Sequence, residues 1–310
     1  MSKLPLSAAE LCDALRHGRA HDPSRLDRIL ALDAERGLLE VQAATPWTSV
    51  AAALRPGDSR AAQAAQATLP TVADSLACNA PGPDGEPAVR HVHALTLVTP
   101  DGELRRLSRQ RDAELFSLVV GGFGLFGALY SVTLRVETLA RAVEKAAPPR
   151  RMRLLPAGHG AQPLELLLPP ERVEEFVAGT DACCLDWRIA LSAVEVRETT
   201  AEEDSFLRWA SRDFAQVKLH FAPCEELGAR VRVAQLRRGI VDAAIERGGR
   251  FHISTTLEAT REQLEACYPQ LAEFLQHKRR FDPHERLTNR WYLRQRRLLA
   301  GEHCEVRWGS

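Results

Sequence analysis

The glycines of Gly122-Phe-Gly124-Leu-Phe-Gly127 have the spacing in this chain that most directly suggests chemistry. G-x-G-x-x-G describes a loop on which a dinucleotide pyrophosphate can approach the main chain closely. The nicotinamide form of that loop needs a strand before the glycines and a helix after them. Here the predicted order is the reverse. Leu115, Phe116, Val119 and Val120 give Asp112–Val120 a helical period, whereas Leu129–Val136 alternates and is β-branched. A Rossmann site is therefore disfavoured. Glycine allows left-handed angles and close approach, so two readings stay open: a tight turn packed on a neighbour, or a loop against a flat cofactor.

Other reactive residue types are more scattered. His91-x-His93 would place two imidazoles on one face of a strand predicted over Val89–Val98, but zinc needs three or four ligands and no third is evident, so no metal is expected. His252 falls in a predicted strand, Arg250–Thr255, and its ordinary pKa near neutrality suits a proton acceptor. Lys278-Arg-Arg280 reads as a solvated helix end that complements the helix dipole. Neither a G-x-S-x-G elbow nor an H-E-x-x-H pair occurs.

A chain of 310 residues is long enough for two domains. Lys plus Arg and Asp plus Glu balance at 41 each, so no net field draws the chain to nucleic acid or an anionic membrane. Seven cysteines without a C-x-x-C pair read as reduced thiols. No signal-like apolar segment opens the sequence, and no run of about eighteen apolar residues occurs, so a cytoplasmic protein without a transmembrane segment is expected.

The elements that would position these residues can be read in order. Ser7-Ala-Ala-Glu10 is a capping box that opens a helix over residues 8–17. A strand is predicted at Gly37–Ala43 and a helix at Pro46–Leu54. The turn-rich Ala80–Pro87 precedes a hairpin whose strands flank Thr99-Pro-Asp-Gly102, and Ala128–Glu137 alternates as a strand. Ala146–Arg151 is a plausible domain boundary. Beyond it, strands at Leu164–Leu168, Ile189–Val196, Gln216–Phe221 and Arg250–Thr255 alternate with helices at Pro170–Ala178 and Leu227–Arg247. Thr260-Arg-Glu-Gln263 is a second capping box. The expected class is α+β with an antiparallel sheet in the second domain.

Several segments, taken together, resemble one family. Glu114–Gly127 resembles the helix, glycine loop and strand of the vanillyl-alcohol-oxidase-type flavoproteins, which carry a PCMH-type FAD-binding domain and include sugar-lactone oxidases and decaprenylphosphoryl-ribose oxidase. Thr71-Val-Ala-Asp-Ser-Leu-Ala-Cys-Asn-Ala-Pro-Gly82 resembles the family segment T-V-G-G-S-x-x-x-N-x-H-G, which wraps the flavin pyrophosphate. Leu26–Asp33, with Val41 and Trp47, is similar to the stretch between the family's two phosphate-binding segments; Tyr268-Pro269, Phe274, Lys278 and Asp282-Pro283 are similar to its C-terminal tail.

The resemblance implies a PCMH-type FAD-binding domain over 1–140, truncated at its phosphate loop, and a substrate domain over 150–310 whose C-terminal tail returns to the flavin domain. It implies FAD held by Thr71, Val72, Ala73, Asp74, Ser75, Asn79, Gly82, Gly121, Gly122, Gly124, Gly127 and Ala128. It also implies oxidation of a CH–OH group in a small alcohol, sugar, sugar acid or lactone by hydride transfer to flavin. His252 and Thr255 stand where some relatives have Tyr and Lys, which leaves His252 as the candidate base.

The departures fall at the cofactor. Arg16–Ser24 runs almost directly into Leu26, where the family has a phosphate-binding loop. Ala73-Asp74 replaces two glycines, crowding an anion and adding like charge that would oppose it by several kcal/mol if partly desolvated. Pro81 replaces a histidine. These departures motivate the alternative of a degenerate relative that serves as a non-catalytic binding scaffold.

Overall fold

The computed structural model describes residues 6–19, 22–58, 70–82, 84–145, 150–154, 163–222, 227–256 and 259–301. Four residues of the expected boundary at 146–151 lie outside these, as do residues 59–69. The chain divides into two compact units: residues 1–147, 203–208 and 272–310 form the first, and 148–202 and 209–271 the second.

In the first unit the Ser7–Glu10 capping box forms as predicted and opens α1 (Ala8–Arg16). A five-stranded antiparallel sheet follows, with β1 (Ile29–Asp33), β2 (Leu38–Gln42), β3 (Val92–Val98), β4 (Leu104–Leu107) and β5 (Ala128–Arg135) in the order β1-β2-β5-β3-β4. The hairpin turn closes through Gly102 N to Thr99 O at 2.9 Å and Thr99 N to Glu103 O at 2.9 Å. Between the strands lie α2 (Trp47–Leu54), α3 (Val72–Ala77) and α4 (Ala113–Val119). Alternation along β2, β3 and β5 buries Leu39, Val41, Leu95, Leu97, Val132 and Leu134 completely.

Two predicted strands are shorter than their patterns suggest. Residues Ala88–His91 form a 3-10 turn instead of the start of β3, because Asn79 Oδ1 takes Val89 N at 3.0 Å and Arg90 N turns back to Pro87 O. His91 is consequently buried while His93 is exposed, so the two imidazoles do not share one face. The second shortening is at the far end of β5. Val136 N bonds Gly37 O, and the chain continues as α5 (Val136–Lys145), a helix the alternating pattern did not reveal.

The second unit is built on β6 (Arg150–Leu154), β7 (Leu164–Leu168), β8 (Leu191–Thr199), β9 (Phe214–Phe221) and β10 (Arg250–Phe251), antiparallel in the order β10-β7-β9-β8-β6. Helices α6 (Val173–Asp186), α7 (Leu227–Glu246) and α8 (Arg261–Cys267) accompany it. The Thr260–Gln263 box forms, and Gln263 Nε2 also reaches Arg238 O at 3.0 Å and Asp242 Oδ1 at 2.7 Å. The strand expected over Arg250–Thr255 pairs only at Arg250–Phe251. Thr255 N and Oγ1 both return to His252 O, at 3.1 and 3.2 Å, and this local bonding wins over the ladder.

Helices α9 (Leu271–Phe281) and α10 (Arg290–Leu299) complete the described chain. Lys278 corrects the expectation of a solvated charge run. It is fully buried, bonds Asp282 one turn on, and lies 5.8 Å from the Tyr292 ring centre. Asp282 additionally accepts from Arg286 N at 3.0 Å and Leu287 N at 2.9 Å, so one carboxylate ends α9 and shapes the turn after it. Removing one partner of a buried, hydrogen-bonded ion pair leaves the other uncompensated. Asp282→Ala is therefore expected to lower unfolding free energy by about 3–5 kcal/mol in urea denaturation. Thr260→Ala, which deletes only an N-cap, should lower it by about 1 kcal/mol.

Candidate functional site

The glycine loop follows α4 and leads into antiparallel β5, the predicted helix–loop–strand order. Its glycines are required for different reasons. A Cβ on Gly122 would lie 2.0 Å from Leu118 O, and one on Gly127 would lie 2.5 Å from Val98 O. These two serve close packing of the chain on itself. Gly124, at φ +72°, has nothing within 4 Å of its Cβ position and offers an open backbone face.

Within the first unit the structure brings this loop against the segment that includes Asn79. Gly121 N donates to Leu76 O at 2.9 Å and Phe123 N to Ala77 O at 2.8 Å. The Cβ position of Gly121 lies 3.5 Å from Asn79 Cβ. Phe123 O accepts from Asn289 Nδ2 at 2.8 Å, and the Phe123 ring stacks on Trp291 at 4.1 Å between centres. Asn79 itself is buried, at φ +50°, with Oδ1 on Val89 N and Nδ2 3.4 Å from Ser205 Oγ. Its side chain is a structural clip. Gly82 N donates to Glu86 O at 2.7 Å, closing the turn-rich stretch. Ala128 is held in the ladder opposite Val98.

Arg109 is a neighbour that sequence patterns did not single out. Its guanidinium bonds both carboxylate oxygens of Asp204, at 2.6 and 2.7 Å, and the carbonyls of Val92 and Val89, at 2.6 and 2.9 Å. Such bidentate geometry holds the 3-10 turn, and hence the Asn79 clip, in place. Trp47 was also missed in this role: its Nε1 donates to Ser75 Oγ at 2.8 Å and pins α3.

Residues 16–108 match a family model described as an FAD binding domain. The matched stretch contains Thr71–Gly82, while the glycine loop lies beyond it. The match supports an FAD-binding family of the PCMH type and a flavin-dependent oxidoreductase in general, and it indicates FAD as the cofactor. Among the described residues, no helix is long and apolar enough to cross a membrane.

The donors at Thr71–Ser75 do not fit the diphosphate of that cofactor. Val72 N donates to Thr45 O at 3.1 Å, Ala73 N to Ala43 O at 2.7 Å and Ser75 N to Thr71 O at 3.2 Å. Asp74 N donates to Thr71 Oγ1 at 3.2 Å, while Thr71 N and Oγ1 both donate to Asp74 Oδ2, at 3.2 and 2.7 Å. Thr71 and Asp74 thus form a third capping box, legible in the spacing T-x-x-D but overlooked there. Asp74 is also exposed, so solvent screens its charge, and the several-kcal/mol repulsion expected for a desolvated carboxylate does not apply.

His252 lies in the second unit. It is buried, Nδ1 sits 2.7 Å from Ser254 Oγ, the ring is 5.1 Å from that of Trp209, and Nε2 has no hydrogen-bond partner among the described residues. Burial pushes its pKa down to about 4, with Glu165 opposing and Lys218 reinforcing that shift. Burial disfavours the protonated form, so the enclosed imidazole is a weaker proton acceptor than a free histidine.

The same shift has a consequence for stability. A folded pKa of about 4, against the ordinary 6.5, means the unfolded chain binds the extra proton first as pH falls. Stability attributable to His252 is therefore complete above pH 6.5 and is lost progressively toward pH 4, on the order of 3 kcal/mol in all. His91 is shifted in the same direction by burial and adds to the trend. Thermal melting across that range should show His252→Gln with a shallower acid dependence than the parent. Identical pH slopes would contradict the assignment.

Proposed function

We propose that this protein is an FAD-dependent oxidoreductase acting on a CH–OH group of a sugar, sugar acid or lactone. One observation carries the reading: the Leu76–Asn79 and Gly121–Gly124 segments are stitched together by main-chain bonds beside the open backbone of Gly124. The FAD binding domain match over residues 16–108 supports the cofactor class. In this reading Gly121–Ala128 would hold the flavin, with Gly122 and Gly127 setting the loop's shape and Gly124 leaving its backbone open. FAD supplies the electron acceptor for the alcohol carbon. The protein's own contribution is the rigid loop, held from behind by Trp291, Asn289 and the Arg109–Asp204 pair.

A second reading is favoured by the engaged donors at Thr71–Ser75: a scaffold that keeps the fold and binds no flavin. The visible absorbance spectrum of the purified chain, before and after addition of FAD, separates the two. The proposed function predicts flavin absorbance that stays with the protein through gel filtration, and dye reduction with at least one sugar alcohol or lactone. A colourless protein that takes up no added FAD would rule it out in favour of the scaffold.

A further inference from the structure

We infer that the Thr71–Ser75 segment of this chain is a self-closed structural cap, not a diphosphate cradle. The proposed function supplies only the choice of ligand for this inference. The main-chain donors of the segment are committed inside the protein.

Two of these commitments are tertiary. Val72 N and Ala73 N bond the carbonyls of Thr45 and Ala43, where the chain leaves β2, so freeing them would detach α3 from the sheet. Thr45 is itself held, with Oγ1 3.2 Å from Arg28 O and no exposed surface. The remaining donors are local. The Thr71 hydroxyl takes Asp74 N, and the Asp74 carboxylate takes Thr71 N and Oγ1, so the chain supplies its own anion where an external one would have to sit. Ser75 is fixed on its other side by the Trp47 indole. Protein–protein hydrogen bonds of this kind are lost in full when a ligand displaces them, and the ligand must then recover what they contributed. The Asp74 carboxylate is a stabilising cap that an arriving diphosphate would have to expel.

The experiment titrates the purified full-length chain with FAD and, separately, with riboflavin, following flavin fluorescence. It is repeated on Asp74→Asn, which keeps the shape of the cap and removes its charge, and on Ala73→Val, which adds bulk within the segment and leaves the Thr71 and Asp74 side chains in place. Because the diphosphate gains nothing through this segment, the ratio of FAD affinity to riboflavin affinity does not depend on it. Neither substitution should change that ratio, and Asp74→Asn should lower the melting temperature through its weakened cap. FAD binding at least about tenfold tighter than riboflavin, with that preference altered by either substitution, would overturn the inference and leave the proposed function standing. A preference for FAD that both variants retain places the diphosphate elsewhere and supports the inference. Binding of neither flavin by any variant removes the proposed function, and the melting temperature then decides the inference: a drop in Asp74→Asn supports the cap and an unchanged value overturns it.

Discussion

Buried main-chain polar groups must find partners, and in the first unit that requirement shapes everything around the candidate site. The chain leaves α3 and α4 at tight turns, where the last carbonyls of a helix lack intrahelical donors. The glycine loop supplies the donors for the first of these turns: the carbonyls of Leu76 and Ala77 receive the amides of Gly121 and Phe123. Gly121 joins this contact at φ +71°, an angle that glycine adopts freely, while Gly122 and Gly127 make room for the Leu118 and Val98 carbonyls. Trp291, stacked on Phe123, and Asn289, bonded to its carbonyl, seal the back of the loop.

The same economy limits what the site can bind. A main-chain amide bonded within the protein is lost to a ligand, and the amides of Thr71–Ser75, in the segment similar to a pyrophosphate-binding stretch, are all engaged. Asp74 illustrates the two effects. As a charge it is exposed and screened; as a hydrogen-bond acceptor it occupies Thr71. Geometry outweighs charge here. The open face that remains belongs to Gly124, whose left-handed backbone faces empty space.

Buried polar groups in both units follow a similar logic. Lys278 and Asp282 are tolerated in the interior because each neutralises the other and the carboxylate also caps the following turn. His252 is tolerated because it stays neutral, with Nδ1 on Ser254 and its ring beside Trp209. Candidate reactive groups thus turn out to be held by packing, and the features that make them noticeable in a sequence, an isolated histidine or a basic run, carry no record of burial.

What the sequence determined by itself is whatever depends on neighbours along the chain. The Ser7 and Thr260 capping boxes, the Pro-Asp-Gly hairpin, the reversed order around the glycine loop and the α+β class all follow from local bonding or period, and the fold has them. Of the candidate residues named from the sequence, the structure brings Gly121 against Asn79. The tertiary structure decided the rest. It shortened the strands at Val89 and Arg250, separated His91 from His93, buried Lys278, and recruited Arg109, Asp204 and Trp47 as supports. The physical reason is that a donor's free energy depends on which acceptor reaches it. For Val72, Ala73 and Gly121 that acceptor lies many residues away, in a position only the folded chain supplies.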